Sequence, residues 1–215
     1  MKTHAYNSLY LEDAMNNLGT MLDCTVNAAQ YDLVVFYEMF LSSGVASQME
    51  AGNPRYLSGM SGMELMQLVL EKSSDKTLPI MNYAPFDRTP EYWAGWALAY
   101  YQWYSAYTFP FIQKNGLSIS TVLSLYPTLH EADLSKFVQT ADMLIQTHLS
   151  TRKNTLKTIR KQSHLTQKEL AELSGVTLRM IQAYEQGHQD IMKAEARTVF
   201  ALARMLGCTP EVICG

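Results

Sequence analysis

The sequence has few cysteines: Cys24, Cys208 and Cys214 are the three among its 215 residues. This odd and sparse set fits a reducing cytoplasm better than the disulfide framework of a small secreted domain. The chain also lacks any run of eighteen uncharged apolar residues, and its N-terminal residues lack the apolar stretch of a signal peptide. We therefore predict a cytoplasmic protein that is not secreted and does not cross a membrane.

Common catalytic and metal-binding motifs are absent as well. The sequence contains no phosphate-binding glycine loop, no His-Glu-x-x-His and no Gly-x-Ser-x-Gly. Its carboxylates are scattered, and no histidine lies near Cys208 and Cys214 to complete a zinc site. The prediction is a protein that is not an enzyme and that uses no cofactor and no metal ion.

Strand-like alternation of apolar and polar residues is also missing, and apolar residues recur at helical spacing instead. This periodicity predicts an all-α fold. Helices are expected over about 9–26, 33–41 and 63–70.

Two further helix starts are marked by capping signals. Thr89-Pro90-Glu91 places a capping threonine, a first-turn proline and a dipole-complementing acid in order. The helix that follows is expected to run from Tyr92 to Tyr107. The segment Pro127–Glu131 has the spacing of a capping box, which predicts a helix from there to about Leu149.

Charge divides the chain unevenly. Residues 1–150 hold 7 basic and 14 acidic residues, a net charge of −7, whereas residues 151–215 hold 10 basic and 6 acidic residues, a net charge of +4. This difference in net charge is explained either by chance variation or by two modules that have different partners. The polar segment Ser150–Asn154 is the best boundary, so we predict an N-terminal helical bundle domain, 1–150, and a second domain, 151–215.

The second domain carries a dense series of helix signals. Thr166–Glu169 has the pattern of a capping box, and Leu170, Ala171 and Leu173 are expected to point inward. Gly175 stands where a tight turn needs a left-handed residue, and Thr177 caps the next helix. A longer helix is expected over about 192–206, followed by a short last helix from Thr209-Pro210-Glu211.

The spacing around this turn is informative. Gln167, Ala171, Gly175 and Ile181 fall at relative positions 0, +4, +8 and +14. A small residue at 171 lets two helices cross closely, glycine makes the turn, and Ile181 fills the space between the helices. The segment resembles the helix-turn-helix of the Xre/Cro family of phage and bacterial repressors. This resemblance covers about 60 residues and implies a five-helix, phage-repressor-like DNA-binding domain.

The resemblance also implies roles for individual residues. The helix over 177–185 would lie in the major groove of double-stranded DNA. Its base-reading side chains would be Leu178, Arg179, Gln182 and Ala183. Contacts to phosphate or the minor groove would come from Thr166, Gln167, Lys168 and Lys193. Arg160 and Glu185 occupy positions that often form an internal, structural ion pair in this family.

One such module makes a small footprint, so we expect a homodimer on a two-fold symmetric operator. The predicted function is a sequence-specific transcriptional regulator, acting as a repressor by occluding its operator.

The N-terminal domain leaves more alternatives open. Its segment 92–111 has ten aromatic residues in twenty, which fits either a core helix or a pocket or interface. The aromatic side chains in question are Trp93, Trp96, Tyr100, Trp103 and Tyr104. This domain is similar to the front half of some bacterial helix-turn-helix proteins encoded beside toxin genes, which implies an antitoxin-like autorepressor that binds a toxin. A small-molecule effector site and a purely dimerising role are the other interpretations.

Overall fold

A computed structural model describes residues 4–74, 88–153 and 155–214 of the chain. These residues contain helices and turns and no strand, which confirms the all-α prediction. Contacts divide the chain into two compact units, an N-terminal unit of residues 1–145 and a C-terminal unit of residues 146–215. The division falls within a helix, Leu134–Lys153. The boundary inferred from charge, between residues 150 and 151, stays a prediction.

Five of the described helices that begin in the N-terminal unit have ten or more residues and supply most of its core, and the others are short. In chain order they are α1 (Leu11–Asp23), α2 (Leu33–Ser42), α3 (Val45–Glu50), α4 (Pro54–Leu57), α5 (Gly62–Ser74), α6 (Pro90–Ser105), α7 (Phe109–Lys114), α8 (Ile119–Ser124), α9 (Tyr126–Leu129) and α10 (Leu134–Lys153). Thr89 caps α6 as expected, because its hydroxyl oxygen accepts a hydrogen bond from the Tyr92 amide at 3.1 Å.

The pair α1 and α6 forms the centre of this unit and makes its most extensive helix contact among the described residues. Glycines allow the two backbones to touch. A Cβ atom at Gly95 would lie 2.5 Å from the Leu18 carbonyl oxygen, and one at Gly19 would lie 2.9 Å from the Tyr92 carbonyl oxygen. These distances are too short for any side chain, so the crossing depends on glycine at both positions.

The predicted capping box at Pro127–Glu131 is wrong. Tyr126–Leu129 forms the separate short helix α9, in which the Thr128 hydroxyl donates to the Leu125 carbonyl at 3.0 Å. The next helix begins only at Leu134, where Asp133 accepts from the Ser135 amide at 2.8 Å. Pro127 lies in the first turn of α9, a position that proline favours. The segment therefore begins a short helix at Tyr126 and does not cap the long helix that the pattern predicted.

The C-terminal unit folds around one small apolar core. Its helices are α11 (Thr155–Gln162), α12 (Gln167–Ser174), α13 (Leu178–Gln186), α14 (Ala196–Leu206) and α15 (Pro210–Cys214). The buried core is formed by Leu156, Leu170, Val176, Ile181, Tyr184, Leu202, Ala203, Leu206 and Ile213.

Two expectations for this unit need correction. Leu173 is 57 % exposed and does not point into the core. The helix expected from residue 192 begins at Ala196, because Ile191–Lys193 forms a 3-10 turn. The Asp190 side chain caps that turn by accepting from the Met192 amide at 3.0 Å.

Candidate nucleic-acid interface

Helix α13 presents its N-terminal half to solvent while its opposite face is buried. Ile181 and Tyr184 anchor the helix in the core, at 0 % and 6 % exposure. Leu178 and Arg179 are exposed, and Gln182 and Ala183 are partly exposed beside them. Because residues i, i+1, i+4 and i+5 share one side of a helix, these four side chains form a single outward face. Within the described part of the chain, the Arg179 guanidinium has no hydrogen-bond or ion-pair partner.

Local capping fixes where this face begins. The Thr166 and Glu169 side chains form a complete capping box at the start of α12. Gly175 ends that helix with a φ of +70°, which only glycine adopts without strain. The Thr177 hydroxyl oxygen then accepts from the Met180 amide at 3.3 Å and starts α13. The two helices are therefore joined by a three-residue turn that carries its own stop and start signals.

A buried ionic cluster joins the three helices α11, α12 and α13. The Arg160 Nε and Nη2 atoms donate to the two Glu185 carboxylate oxygens at 2.6 and 2.9 Å. Arg160 Nη1 also donates to the Leu165 carbonyl at 2.7 Å. The Gln167 side-chain amide adds a third donor to the carboxylate, at 2.7 Å from Glu185 Oε2. The structure thus pairs Arg160 with Glu185 and brings in Gln167, whose link to Glu185 sequence analysis missed.

The electrostatics of this cluster favour the ionised carboxylate. Burial by itself raises the pKa of Glu185. The hydrogen bonds from Arg160 and Gln167, together with the positive charges of Arg160 and Lys157, outweigh burial and lower this pKa below the usual range for glutamate. The buried carboxylate therefore stays negatively charged, and the Arg160 guanidinium neutralises that charge.

The residues expected at phosphate differ in how their groups are used. The Thr166 backbone and side chain are both engaged in the capping box. Lys168 is 79 % exposed and lies 4.0 Å from Glu172, a weak surface pair. Lys193 is exposed in the 3-10 turn before α14. The backbone amides of Gln167 and Lys168, in the first turn of α12, have no hydrogen-bond partner among the described residues and can donate to a ligand.

Comparison with protein families agrees with this geometry. Residues 156–213 match the family model described as Helix-turn-helix. This segment is a helix-turn-helix domain of the Xre/Cro type. The function that such a domain supports is that of a DNA-binding regulator. The chain matches none of the curated proteins and none of the solved structures with which it was compared.

One basic residue of the helix-turn-helix domain was missed by sequence analysis. Arg197 is 90 % exposed in the first turn of α14, and its one ion pair among the described residues is a 3.8 Å contact to the exposed Glu195. It lines a groove of about 560 Å³ together with Thr177, Met180 and Thr198. No local pattern in the sequence distinguishes Arg197 from the other basic residues of this domain.

The aromatic residues of the N-terminal unit do not gather around one pocket among the described residues. Trp93 and Trp103 are buried, and Trp93 packs edge-on against Phe137 at 5.6 Å. Trp103 stacks on His4 at 3.8 Å. The other three, Trp96, Tyr100 and Tyr104, are partly exposed. The helix that carries them ends at Ser105, two residues earlier than expected, where Ala106 takes a left-handed conformation.

Trp96 lines a separate groove of about 370 Å³ with Leu11, Met15 and Arg88. Among the described residues that line this groove, Trp96 is the one with an aromatic side chain. Trp96 therefore lines a groove, whereas the rings of Trp93 and Trp103 pack against other aromatic rings.

No group of three His, Cys, Asp or Glu side chains lies close enough to hold a metal ion in the ranges the structure describes. The three cysteines form no disulfide, and burial is the main cause that raises the pKa of Cys24 to about 11. Among the described helices, none combines the length and apolar character that a bilayer crossing requires.

Proposed function

We propose that this protein is a transcriptional repressor that binds an operator as a homodimer and inserts α13 into the major groove. The observation that carries the proposal is the outward face of α13, on which Arg179 stands beside Leu178, Gln182 and Ala183 and has no hydrogen-bond or ion-pair partner among the described residues. Capping and the buried Arg160–Glu185 pair support this helix from behind. A helix held in this way loses little conformational freedom when it docks on DNA.

The chemistry of the four outward side chains defines the bases that they would read. The Arg179 guanidinium matches the O6 and N7 acceptors of guanine, and the Gln182 amide matches the N6 and N7 edge of adenine. Leu178 and Ala183 have no polar group and suit the methyl group of thymine. Leu178 is 38 % exposed, so it has apolar surface available for this contact.

Affinity would come from phosphate contacts on both sides of the recognition helix. Thr166, Gln167 and Lys168 lie at the N-terminus of α12, where free amides and the helix dipole favour an anion. Lys193 would add a contact from the 3-10 turn. Residues 146–215 carry a net charge of +4, a modest excess that favours two domains acting together on one operator.

Selection from random duplex DNA tests this function and identifies the operator in the same experiment. The full chain should enrich a two-fold symmetric sequence whose half-sites are separated by about one helical turn, roughly 34 Å. Light scattering at micromolar concentration should report a dimer. A reporter gene placed behind the selected site should lose expression when the protein is present. Enrichment of no sequence, or a monomer on DNA, would contradict the proposal.

The antitoxin-like function is a second candidate, favoured by the surface of the N-terminal unit. This unit carries a net charge of −7 and exposes the apolar side chains Leu9, Val34 and Val35, at 82 %, 43 % and 51 %. Acidic surface with apolar anchors suits a basic protein partner better than a small molecule. Co-expression with the product of a neighbouring gene should relieve that product's toxicity, and a Leu9→Ser variant should relieve it less. Equal rescue by both would exclude Leu9 from the contact.

A further inference from the structure

Gln167 is the one predicted phosphate contact whose side chain is hydrogen-bonded to another helix among the described residues. Its Nε2 atom lies 2.7 Å from Glu185 Oε2, across 18 residues of sequence. Gln167 is partly exposed, whereas the Glu185 side chain is only 2 % exposed. The amide therefore reaches from the protein interior to the surface at the first turn of α12.

The carboxylate decides which end of this amide faces inward. An ionised carboxylate only accepts hydrogen bonds, so the amide has to present its nitrogen and not its oxygen. The lowered pKa of Glu185 is consistent with an ionised acceptor. One of the two N–H groups of Gln167 is used in this contact, and the other has no partner among the described residues and can donate to a ligand.

We infer that Glu185 is a positioning residue for DNA binding, because it orients the Gln167 amide so that the free N–H group meets a phosphate oxygen. This inference rests on the proposed DNA-binding function and deepens it. The buried carboxylate, neutralised by Arg160, thereby has a role at the interface besides its role in stability. Without the carboxylate, the amide could rotate and present its carbonyl oxygen to an anion, which would be repulsive.

The inference predicts a specific pattern of binding energies. Gln167→Ala should weaken binding of the full chain to a duplex of arbitrary sequence by about tenfold, as expected for a hydrogen bond to a charged acceptor. Its dependence on salt should stay unchanged, because a neutral amide releases no counterion. The matched control is Lys168→Ala, the adjacent position, which should reduce the salt slope by about one.

Coupling between the two residues is the decisive test. In a Glu185→Gln background the further change Gln167→Ala should cost less than twofold, because the amide is no longer oriented. If Gln167→Ala costs the same tenfold in both backgrounds, the positioning role is wrong while DNA binding stands. If the wild-type chain binds no duplex DNA at low salt, the proposed function itself fails.

Nuclear magnetic resonance of the unmodified protein covers the case in which Glu185→Gln does not fold. One side-chain amide proton of Gln167 should exchange slowly with solvent, and the other should shift when duplex DNA is added. The exposed Gln186 provides the reference for a free side-chain amide. Two Gln167 protons that exchange as fast as those of Gln186 would overturn the inference.

Discussion

The Arg160–Glu185 pair yields the sharpest stability prediction. The two side chains are 9 % and 2 % exposed and share two hydrogen bonds, so removal of either one leaves the other charged and buried. We expect Arg160→Met or Glu185→Leu alone to lower the free energy of unfolding by about 3–5 kcal/mol. That is a large part of the roughly 5–15 kcal/mol that stabilises a typical domain.

The double variant Arg160→Met/Glu185→Leu should be much less harmful than the sum of the two. It leaves no buried charge, and an apolar pair of similar volume is often neutral or stabilising. The double variant still loses two other hydrogen bonds, because the Leu165 carbonyl loses its Arg160 donor and the Gln167 amide loses its Glu185 acceptor. Both residues are partly exposed and can bind water. We therefore expect a net cost of about 1–2 kcal/mol for the double variant.

Urea unfolding of the full chain measures these differences with an internal control. All three tryptophans, Trp93, Trp96 and Trp103, lie in the N-terminal unit, so their fluorescence reports that unit. Helical circular dichroism reports both units. The variants should shift the dichroism transition while the fluorescence transition stays in place. A double variant as unstable as the sum of the single variants would refute the argument from stranded charge.

Four further predictions concern other parts of the chain. Gly95→Ala should lower the melting temperature measured by tryptophan fluorescence and cost about 1–3 kcal/mol of stability, because a Cβ would lie 2.5 Å from the Leu18 carbonyl oxygen. An unchanged melting temperature would contradict the close crossing of α1 and α6. Ala106→Gly should instead stabilise the chain by up to about 1 kcal/mol, since residue 106 has a φ of +57° that glycine adopts freely. The pKa of Glu185 is lower in the folded chain than the unfolded value of about 4.3. The stability that its ionised carboxylate contributes should therefore be present above that pH and lost as the pH falls below it. Acid unfolding of the double variant Arg160→Met/Glu185→Leu should lack this pH-dependent loss of stability. Lys193→Ala should weaken binding to all DNA sequences and reduce the slope of affinity against salt by about one in titrations at several salt concentrations.

Signals confined to a few neighbouring residues predicted most of the C-terminal unit. The capping box of Thr166 and Glu169, the turn at Gly175 and the cap at Thr177 each depend on residues within one turn of helix. Such local hydrogen bonds leave a direct pattern in the sequence. The residues on the outward face of α13 were expected from the resemblance to the Xre/Cro family and not from a local pattern.

Contacts between residues that are distant in the sequence could not be predicted from such local patterns. The Gln167–Glu185 hydrogen bond joins two helices, and no local pattern sets the rotamers that bring these side chains together. Gly95 is an ordinary helix residue in the sequence, and only its distance to Leu18 shows why glycine is needed. The start of α14 was misplaced because Ile191–Lys193 continues the helical pattern while forming a 3-10 turn.

Base-resolved DNA binding by Arg179→Ala is the most direct test of the central claim that α13 reads a sequence. The assay compares the selected operator with each of its single base-pair variants, and Arg204→Ala, which removes an exposed arginine from α14, is the matched control. Arg179→Ala should lose discrimination at one base-pair position by about 1–3 kcal/mol and keep its nonspecific affinity, while Arg204→Ala keeps that discrimination. An equal loss of affinity on every sequence would contradict the assignment of Arg179 to base recognition.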